Sequence, residues 1–303
     1  MSAAPITTRT VEAGGFRFAV DEAGAGDHLA LCLHGFPESR FSWRYQLPLL
    51  AELGYRAWAP DLRGYGETEP KPQAVSAYLI DRLLEDVAAL IDASGARTVT
   101  LIGHDWGAGL AWTFAANQVR PLERLVIMNV PHPAVMMDHL RRGNWAQLRR
   151  SWYMFFFQLP GLPERMMTRN GAQAIRQAFH GMAVDKSNFT PDVLDRYARD
   201  AQRPGAMTAM INWYRAAMRL GGKLRGPWPV IETPTLIVWG EEDAALGIEL
   251  LDGTGAYVRD LTLRRLPGVS HWVQQEAPDP VNAILKDWLT TPRPADAGTA
   301  RQA

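Results

Sequence analysis

LIGHDWGAG (residues 101–109) joins a strand-like apolar run to a helix-like one. Between the two runs, Asp105 is flanked by Gly103, Gly107 and Ala108, and residues this small allow a sharp turn that presents one side chain. Such turns usually present serine, in the pattern G-x-S-x-G. Here the presented group is a carboxylate, which is already ionised at pH 7. An aspartate before a helix can be a simple N-cap, but the glycine spacing favours an exposed nucleophile.

Short β-rich runs alternate with helical ones along most of the chain. The predicted strands are 15–20, 28–33, 55–59, 98–102, 124–129, 235–239 and 260–266, and the predicted helices are 76–93, 107–117 and 278–289. Continuous apolar strands separated by helices predict an α/β fold whose mostly parallel sheet is covered by helices on both faces. Asp105 then lies at the C-terminal edge of the sheet, where open α/β sheets bind ligands.

The alternation stops between residues 132 and 226. This stretch is helical in pattern, is rich in Arg, Met and aromatic residues, and contains no predicted strand. It predicts a helical cap (132–226) inserted between two halves of one core domain (1–131 and 227–292). The small and polar residues 293–303 predict a disordered tail.

Composition narrows the classes of partner. The 303 residues carry 32 Lys and Arg against 32 Asp and Glu, and this balance argues against a nucleic-acid partner. The single cysteine, Cys32, excludes an intrachain disulfide, and its apolar surroundings predict burial. The sequence has no apolar leader and no segment long enough to span a bilayer, so we expect a cytoplasmic protein without a membrane partner. It also shows no metal-ligand cluster or nucleotide-binding loop, so no cofactor is expected.

A second loop, LHGFPES (33–39), follows a predicted strand. Its Gly35 allows the backbone to approach a ligand closely. The amides of Phe36 and Trp106 can then point at an oxyanion that develops at the turn. His34 and His104 lie next to glycines in the two turns, and we expect them to support the loops by hydrogen bonding.

Two further residues complete a candidate triad. His271 lies between the last predicted strand and the last helix, where the chain order nucleophile, acid, base requires its base. The preceding strand is followed by GEEDAALG, and Asp243 is the acid that we expect to orient His271. By position alone, Glu241 and Glu242 remain alternatives.

These motifs resemble those of the α/β-hydrolase family and, within it, of the epoxide hydrolases. The resemblance covers about residues 15–290 and is carried by HGFPESRFSWRYQ (34–46), PDLRGYGET (60–68), GHDWGA (103–108), WYMFFFQLP (152–160), INWYR (211–215), WGEEDAAL (239–246) and SHW (270–272).

The resemblance implies a role for each matching residue. Asp105 is the nucleophile, Asp243 the acid and His271 the base, and the Phe36 amide belongs to the oxyanion hole. Two tyrosines of the cap, Tyr153 and Tyr214, hold the epoxide oxygen. The expected reaction converts an epoxide to a vicinal diol through an alkyl ester on the nucleophile.

Other protein families share this fold and part of these motifs but have other functions. Haloalkane dehalogenases also attack an sp³ carbon with an aspartate and share the H-D-W-G turn, so this alternative stays open. They commonly have Asn after the H-G pair, where this chain has Phe36. Fluoroacetate dehalogenases carry an arginine where this chain has Trp106. A non-catalytic binding protein on this fold would need a broken triad.

Aromatic residues near the candidate site predict an apolar pocket under the cap, and hence a small hydrophobic epoxide as substrate. They are Trp106, Trp152, Phe156 and Trp213. The alternative is that they only pack the cap against the core.

Overall fold

The computed structural model describes residues 4–219 and 228–292, and these form an α/β fold around an eight-stranded sheet with strand order β1-β2-β4-β3-β5-β6-β7-β8. The strands are β1 (Thr7–Ala13), β2 (Phe16–Ala23), β3 (His28–Leu33), β4 (Arg56–Pro60), β5 (Thr98–His104), β6 (Arg124–Met128), β7 (Thr235–Gly240) and β8 (Leu261–Leu266). Strand β2 is antiparallel to β1 and to β4, and all the other pairs are parallel. The mostly parallel sheet predicted from the sequence is confirmed.

Eleven α-helices lie within the described residues. They are α1 (Gln46–Glu52), α2 (Ile80–Ser94), α3 (Trp106–Ala116), α4 (Pro133–Arg141), α5 (Trp145–Arg150), α6 (Trp152–Phe156), α7 (Leu162–Met182), α8 (Pro191–Ala201), α9 (Ala206–Arg219), α10 (Val273–Glu276) and α11 (Pro278–Thr290). Four short 3-10 helices span Arg40–Trp43, Val75–Tyr78, Ile248–Leu251 and Thr254–Ala256. No helix in this part of the chain combines the length and apolar character needed to cross a membrane.

Helices cover both faces of the sheet, as alternate residues of β3 show. Leu29, Leu31 and Leu33 belong to the hydrophobic core that includes α2 and α3. Ala30 and Cys32 point to the opposite core, which includes α1 and α11. Cys32 is fully buried, as its apolar surroundings predict.

Two local predictions were wrong. The sequence analysis missed β1, an edge strand in which only Val11 is buried and whose polar residues give no apolar run. The helix predicted over 76–93 is in two pieces, because Leu79 adopts an extended ψ of 141° between the 3-10 helix Val75–Tyr78 and α2.

Helices α4–α9 follow one another between β6 and β7, and no strand interrupts them in the part of this stretch that the structure describes. Helix α7 contains a break, because residues 169–172 have non-helical backbone angles. The predicted end of the cap at residue 226 and the predicted tail 293–303 lie outside the described residues.

A buried histidine marks the start of this helical stretch. The His132 ring stacks on Tyr257 at 4.7 Å and meets the edges of Trp112 and Trp228, both at 5.1 Å. Its Nδ1 accepts a hydrogen bond from the Ala134 amide and so caps α4. Burial lowers the pKa of His132 from 6.5 to about 4.

Candidate active site

The turn between β5 and α3 holds Asp105 in a backbone conformation that L-residues rarely adopt. Its φ is 48° and its ψ is −123°. Glycines surround the turn because larger residues do not fit: a Cβ on Gly35 would overlap the Asp105 side chain, and one on Gly107 would overlap the Leu33 carbonyl. The close packing of β3, β5 and α3 therefore fixes the direction of the carboxylate.

The loop after β3 supplies an amide to this carboxylate. Phe36 N donates to Asp105 Oδ1 at 2.7 Å, and the Phe36–Pro37 peptide bond is cis. Trp106 is the first residue of α3, so its amide has no acceptor within the helix. Both amides predicted as oxyanion donors thus lie next to Asp105 in the chain or in space.

The structure brings Asp105, Asp243 and His271 together from the ends of β5, β7 and β8. His271 Nδ1 lies 2.7 Å from Asp243 Oδ2, and His271 Nε2 lies 3.5 Å from Asp105 Oδ2. Asp243 and His271 are both buried. The two alternative acids point elsewhere: Glu242 is exposed, and Glu241 pairs with Arg265.

The charges within this group support one another. Burial alone would lower the pKa of His271, but the carboxylates of Asp243 and Asp105 raise it to about 10. Burial would raise the pKa of Asp105, but its contact with His271 holds that pKa below the usual value. With its pKa raised to about 10, His271 carries a proton at neutral pH.

Two cavities meet at Asp105, and Tyr153 and Tyr214 line both of them. The larger has a volume of about 920 Å³ and the smaller of about 380 Å³. The two tyrosine rings are 5.8 Å apart at 82°. Burial and the nearby Asp105 carboxylate both raise the pKa of each hydroxyl, so both tyrosines stay protonated.

The four aromatic residues predicted to bind substrate divide between the cavities. Trp106 and Trp213 line the larger one. Trp152 and Phe156 line the smaller one, and Trp152 is 63% exposed, so it lies at the solvent end of that cavity.

Comparison with known proteins identifies the family. Residues 31–278 match the model of the alpha/beta hydrolase fold. Mouse Epoxide hydrolase 4 is 37% identical over 92% of this chain and 78% of its own length, and Mycobacterium tuberculosis Epoxide hydrolase A is 31% identical over 94% and 97%. The crystal structure of Bacillus megaterium epoxide hydrolase with an inhibitor superposes with a TM-score of 0.84, at 32% identity over 93% of this chain and all of that one.

This chain belongs to the epoxide hydrolases. The epoxide hydrolase family and the α/β-hydrolase fold expected from the motifs are both confirmed. Residues that were not predicted from the sequence also contact the group formed by Asp105, Asp243 and His271, and their contacts show how this epoxide hydrolase family member holds Asp243 and the His271 loop.

Asn129, directly after β6, connects the ends of two strands. Its Nδ2 donates to Asp243 Oδ2 at 2.8 Å, and its Oδ1 accepts from Gly240 N at 2.8 Å. Its φ of 49° lies in the left-handed region. Asparagine tolerates this conformation better than most residues do, and that was the only signal in the sequence.

Glu38 and His104 form a buried pair next to the turn that presents Asp105. The Glu38 carboxylate accepts four hydrogen bonds, all at 2.8 Å, from Gly35 N, His104 Nδ1, Gln274 Nε2 and Gln275 Nε2. Burial opposes ionisation of Glu38, but the contact with His104 keeps its pKa below the usual value. His104 Nε2 donates to the His271 carbonyl at 2.8 Å, so His104 supports the loop that carries His271 as well as its own turn.

His34 supports its loop in the expected way. Its Nδ1 donates to the Gly35 carbonyl at 2.9 Å, and its Nε2 accepts from Leu62 N at 3.0 Å. These two contacts fix one neutral tautomer, and burial lowers the pKa of the ring. Within residues 4–219 and 228–292, no group of three or more His, Cys, Asp or Glu side chains could hold a metal ion.

Proposed function

We propose that this chain hydrolyses a hydrophobic epoxide to a vicinal diol through an alkyl ester on Asp105. The observation that carries the proposal is one arrangement: a carboxylate in a nucleophile turn contacts the Phe36 amide and His271, and shares both of its cavities with Tyr153 and Tyr214. The relatives named as epoxide hydrolases support it.

In the first half of the reaction, an Asp105 oxygen attacks a ring carbon. Oδ1 is held by the Phe36 amide, so Oδ2 is the attacking atom and Oδ1 becomes the carbonyl oxygen of the ester. The carbon–oxygen bond of the epoxide breaks, and negative charge develops on the ring oxygen. Tyr153 and Tyr214 donate hydrogen bonds to that oxygen, which stays bonded to the other ring carbon and takes up a proton to become a hydroxyl group of the alkyl ester.

In the second half, water attacks the ester carbonyl carbon of Asp105. His271 takes a proton from this water, and Asp243 stabilises the imidazolium that forms. The negative charge on Oδ1 is bound by the Phe36 and Trp106 amides. Collapse of the tetrahedral intermediate releases the diol, with the proton returned from His271, and leaves one oxygen of water in Asp105.

Alkylation itself prepares His271 for this role. In the free protein two carboxylates keep His271 protonated, and a protonated imidazole cannot act as a base. When Asp105 becomes a neutral ester, one of these carboxylates is lost and the pKa of His271 falls. The proton released from His271 balances the proton that the opened epoxide oxygen takes up.

The cavities indicate what the substrate is like. Their lining is mostly apolar and aromatic, and most of it comes from α3 and from helices α4–α9, which we propose act as a cap over Asp105. Such a lining favours a hydrophobic epoxide. It does not favour the haloalkane alternative, because the Phe36 side chain packs on Phe157 and Tyr214 at 5.4 and 5.3 Å and supplies no hydrogen-bond donor for a halide.

The test is a single turnover of a styrene-oxide-type epoxide in ¹⁸O water with excess enzyme. We expect the label in the Asp105 peptide and not in the diol. In parallel, His271→Ala should accumulate an adduct whose mass equals the protein plus the epoxide. Label that appears first in the diol would contradict the covalent mechanism, and efficient halide release from 1-haloalkanes without epoxide turnover would favour a dehalogenase.

A further inference from the structure

Gln147 is a fully buried polar residue of α5 that has no part in the proposed chemistry. Its side chain contacts a loop of the core. Nε2 donates to the Ala245 carbonyl at 2.9 Å and to Ser151 Oγ at 3.0 Å, and Oε1 accepts from Gly247 N at 3.0 Å. Both amide hydrogens are therefore used, and the loop is held through one carbonyl and one N–H group.

The loop that Gln147 holds is the one that orients Asp243. Ala245 N and Leu246 N donate to Asp243 Oδ1 at 2.8 and 2.9 Å. Leu246 N lies between the carbonyl and the N–H group that Gln147 binds, and Ala245 N belongs to the same residue as that carbonyl. We call residues 244–247 the acid loop.

We propose that Gln147 is a positioning residue for ester hydrolysis: it anchors the acid loop to α5 and so fixes the direction in which Asp243 faces His271. The inference rests on the proposed function. In this proposal α5 has two roles: it precedes α6, which carries Tyr153, and it holds the loop that orients Asp243.

The contact pattern predicts which half of the reaction depends on Gln147. Alkylation needs the Asp105 carboxylate and the tyrosine hydroxyls. The side-chain hydrogen bonds of Gln147 go to Ser151 and to the acid loop, and not to any of these groups. Hydrolysis needs a base whose imidazole is oriented through the 2.7 Å contact with Asp243. A loose acid loop should therefore slow hydrolysis more than alkylation.

A matched control exists at the same junction. Arg150 of α5 pairs with Glu249 at 3.1 Å, and both side chains are more than one-third exposed. This ion pair joins α5 to the segment that follows the acid loop, and it makes no hydrogen bond to Asp243. Glu249→Gln thus loosens the junction and leaves the hydrogen bonds of the acid loop in place.

The experiment compares Gln147→Met, which keeps the shape and removes all three hydrogen bonds, with Glu249→Gln. Rapid mixing with an epoxide, followed by mass spectrometry, measures formation and decay of the alkyl-enzyme. For Gln147→Met we expect alkylation within about twofold of wild type, hydrolysis slower by about tenfold, and the acidic limb of the hydrolysis rate moved to lower pH, because a misaligned Asp243 raises the pKa of His271 less. For Glu249→Gln we expect both rates within about twofold.

Gln147→Asn, whose shorter side chain cannot reach both loop groups, replaces Gln147→Met if the latter does not fold, with the same split expected. Equal losses in both steps, an unchanged hydrolysis rate, or an equal effect of Glu249→Gln would overturn the role of Gln147. A wild-type protein that forms no alkyl-enzyme with any epoxide would instead overturn the proposed function, and the inference with it.

Discussion

In Asp105→Asn, the carboxylate that lies 3.5 Å from His271 Nε2 becomes a neutral amide of nearly the same shape. This change imitates the charge of the alkyl-enzyme without any substrate. His271 then keeps one carboxylate partner, Asp243. We expect the pKa of His271, about 10 in the wild type, to fall toward the neutral range in this variant.

The size of the fall follows from the distance. Two unit charges 3.5 Å apart attract by about 5 kcal/mol at an effective dielectric constant of about 20, and one pH unit corresponds to about 1.4 kcal/mol. The upper limit is therefore roughly three and a half pH units. Solvent reaches 16% of the Asp105 side chain and screens part of the attraction, so we expect a fall of roughly one to three pH units.

The assay is an NMR titration of ¹⁵N-labelled histidine side chains, with the His271 signals assigned from their loss in His271→Ala. His28 is an internal reference, because it is 42% exposed at the start of β3, away from the C-terminal strand ends that carry the site. A His271 midpoint in Asp105→Asn that stays within about half a pH unit of the wild type would refute the argument that alkylation converts His271 into a base.

Two further predictions concern the tyrosines and the buried His132. Tyr153→Phe or Tyr214→Phe removes one donor to the opening epoxide, so each should slow alkylation by a factor on the order of 10², measured by rapid mixing, while hydrolysis of a preformed ester continues. Because the pKa of His132 is lowered from 6.5 to about 4, the unfolded chain takes up a proton at pH 5 that the folded chain does not. Wild type should therefore lose about 2 kcal/mol more stability than His132→Phe between pH 7 and pH 5 in urea unfolding, and equal losses would contradict this.

The turn that presents Asp105 could be predicted from the sequence because its steric demands require particular residues. Gly35, Gly103 and Gly107 each lie where a Cβ would collide with a neighbour, and the glycines themselves can be read from the sequence without a structure. The order of Asp105, Asp243 and His271 along the chain was equally informative, since each follows a strand of one parallel sheet.

The supporting contacts could not be predicted in this way, because they join distant parts of the chain. Asn129 and Asp243 are 114 residues apart, and Glu38 and Gln274 are 236 apart. An asparagine, a glutamate or a glutamine leaves no local pattern that shows whether it will meet such a partner. Strand β1 was missed for a related reason, since an exposed edge strand needs no apolar run.

At Asp105, the glycines that allow the close packing of the turn are different residues from the one whose carboxylate is presented. The close steric contacts fall at glycines, of which Gly103 and Gly107 face backbone atoms and Gly35 faces the Asp105 side chain, whereas the carboxylate oxygens also meet an amide, an imidazole and open cavity. A single codon change at position 105 can therefore alter the chemistry while the frame that presents it stays intact. In evolutionary terms, this turn can gain a new reaction more easily than it can lose its shape.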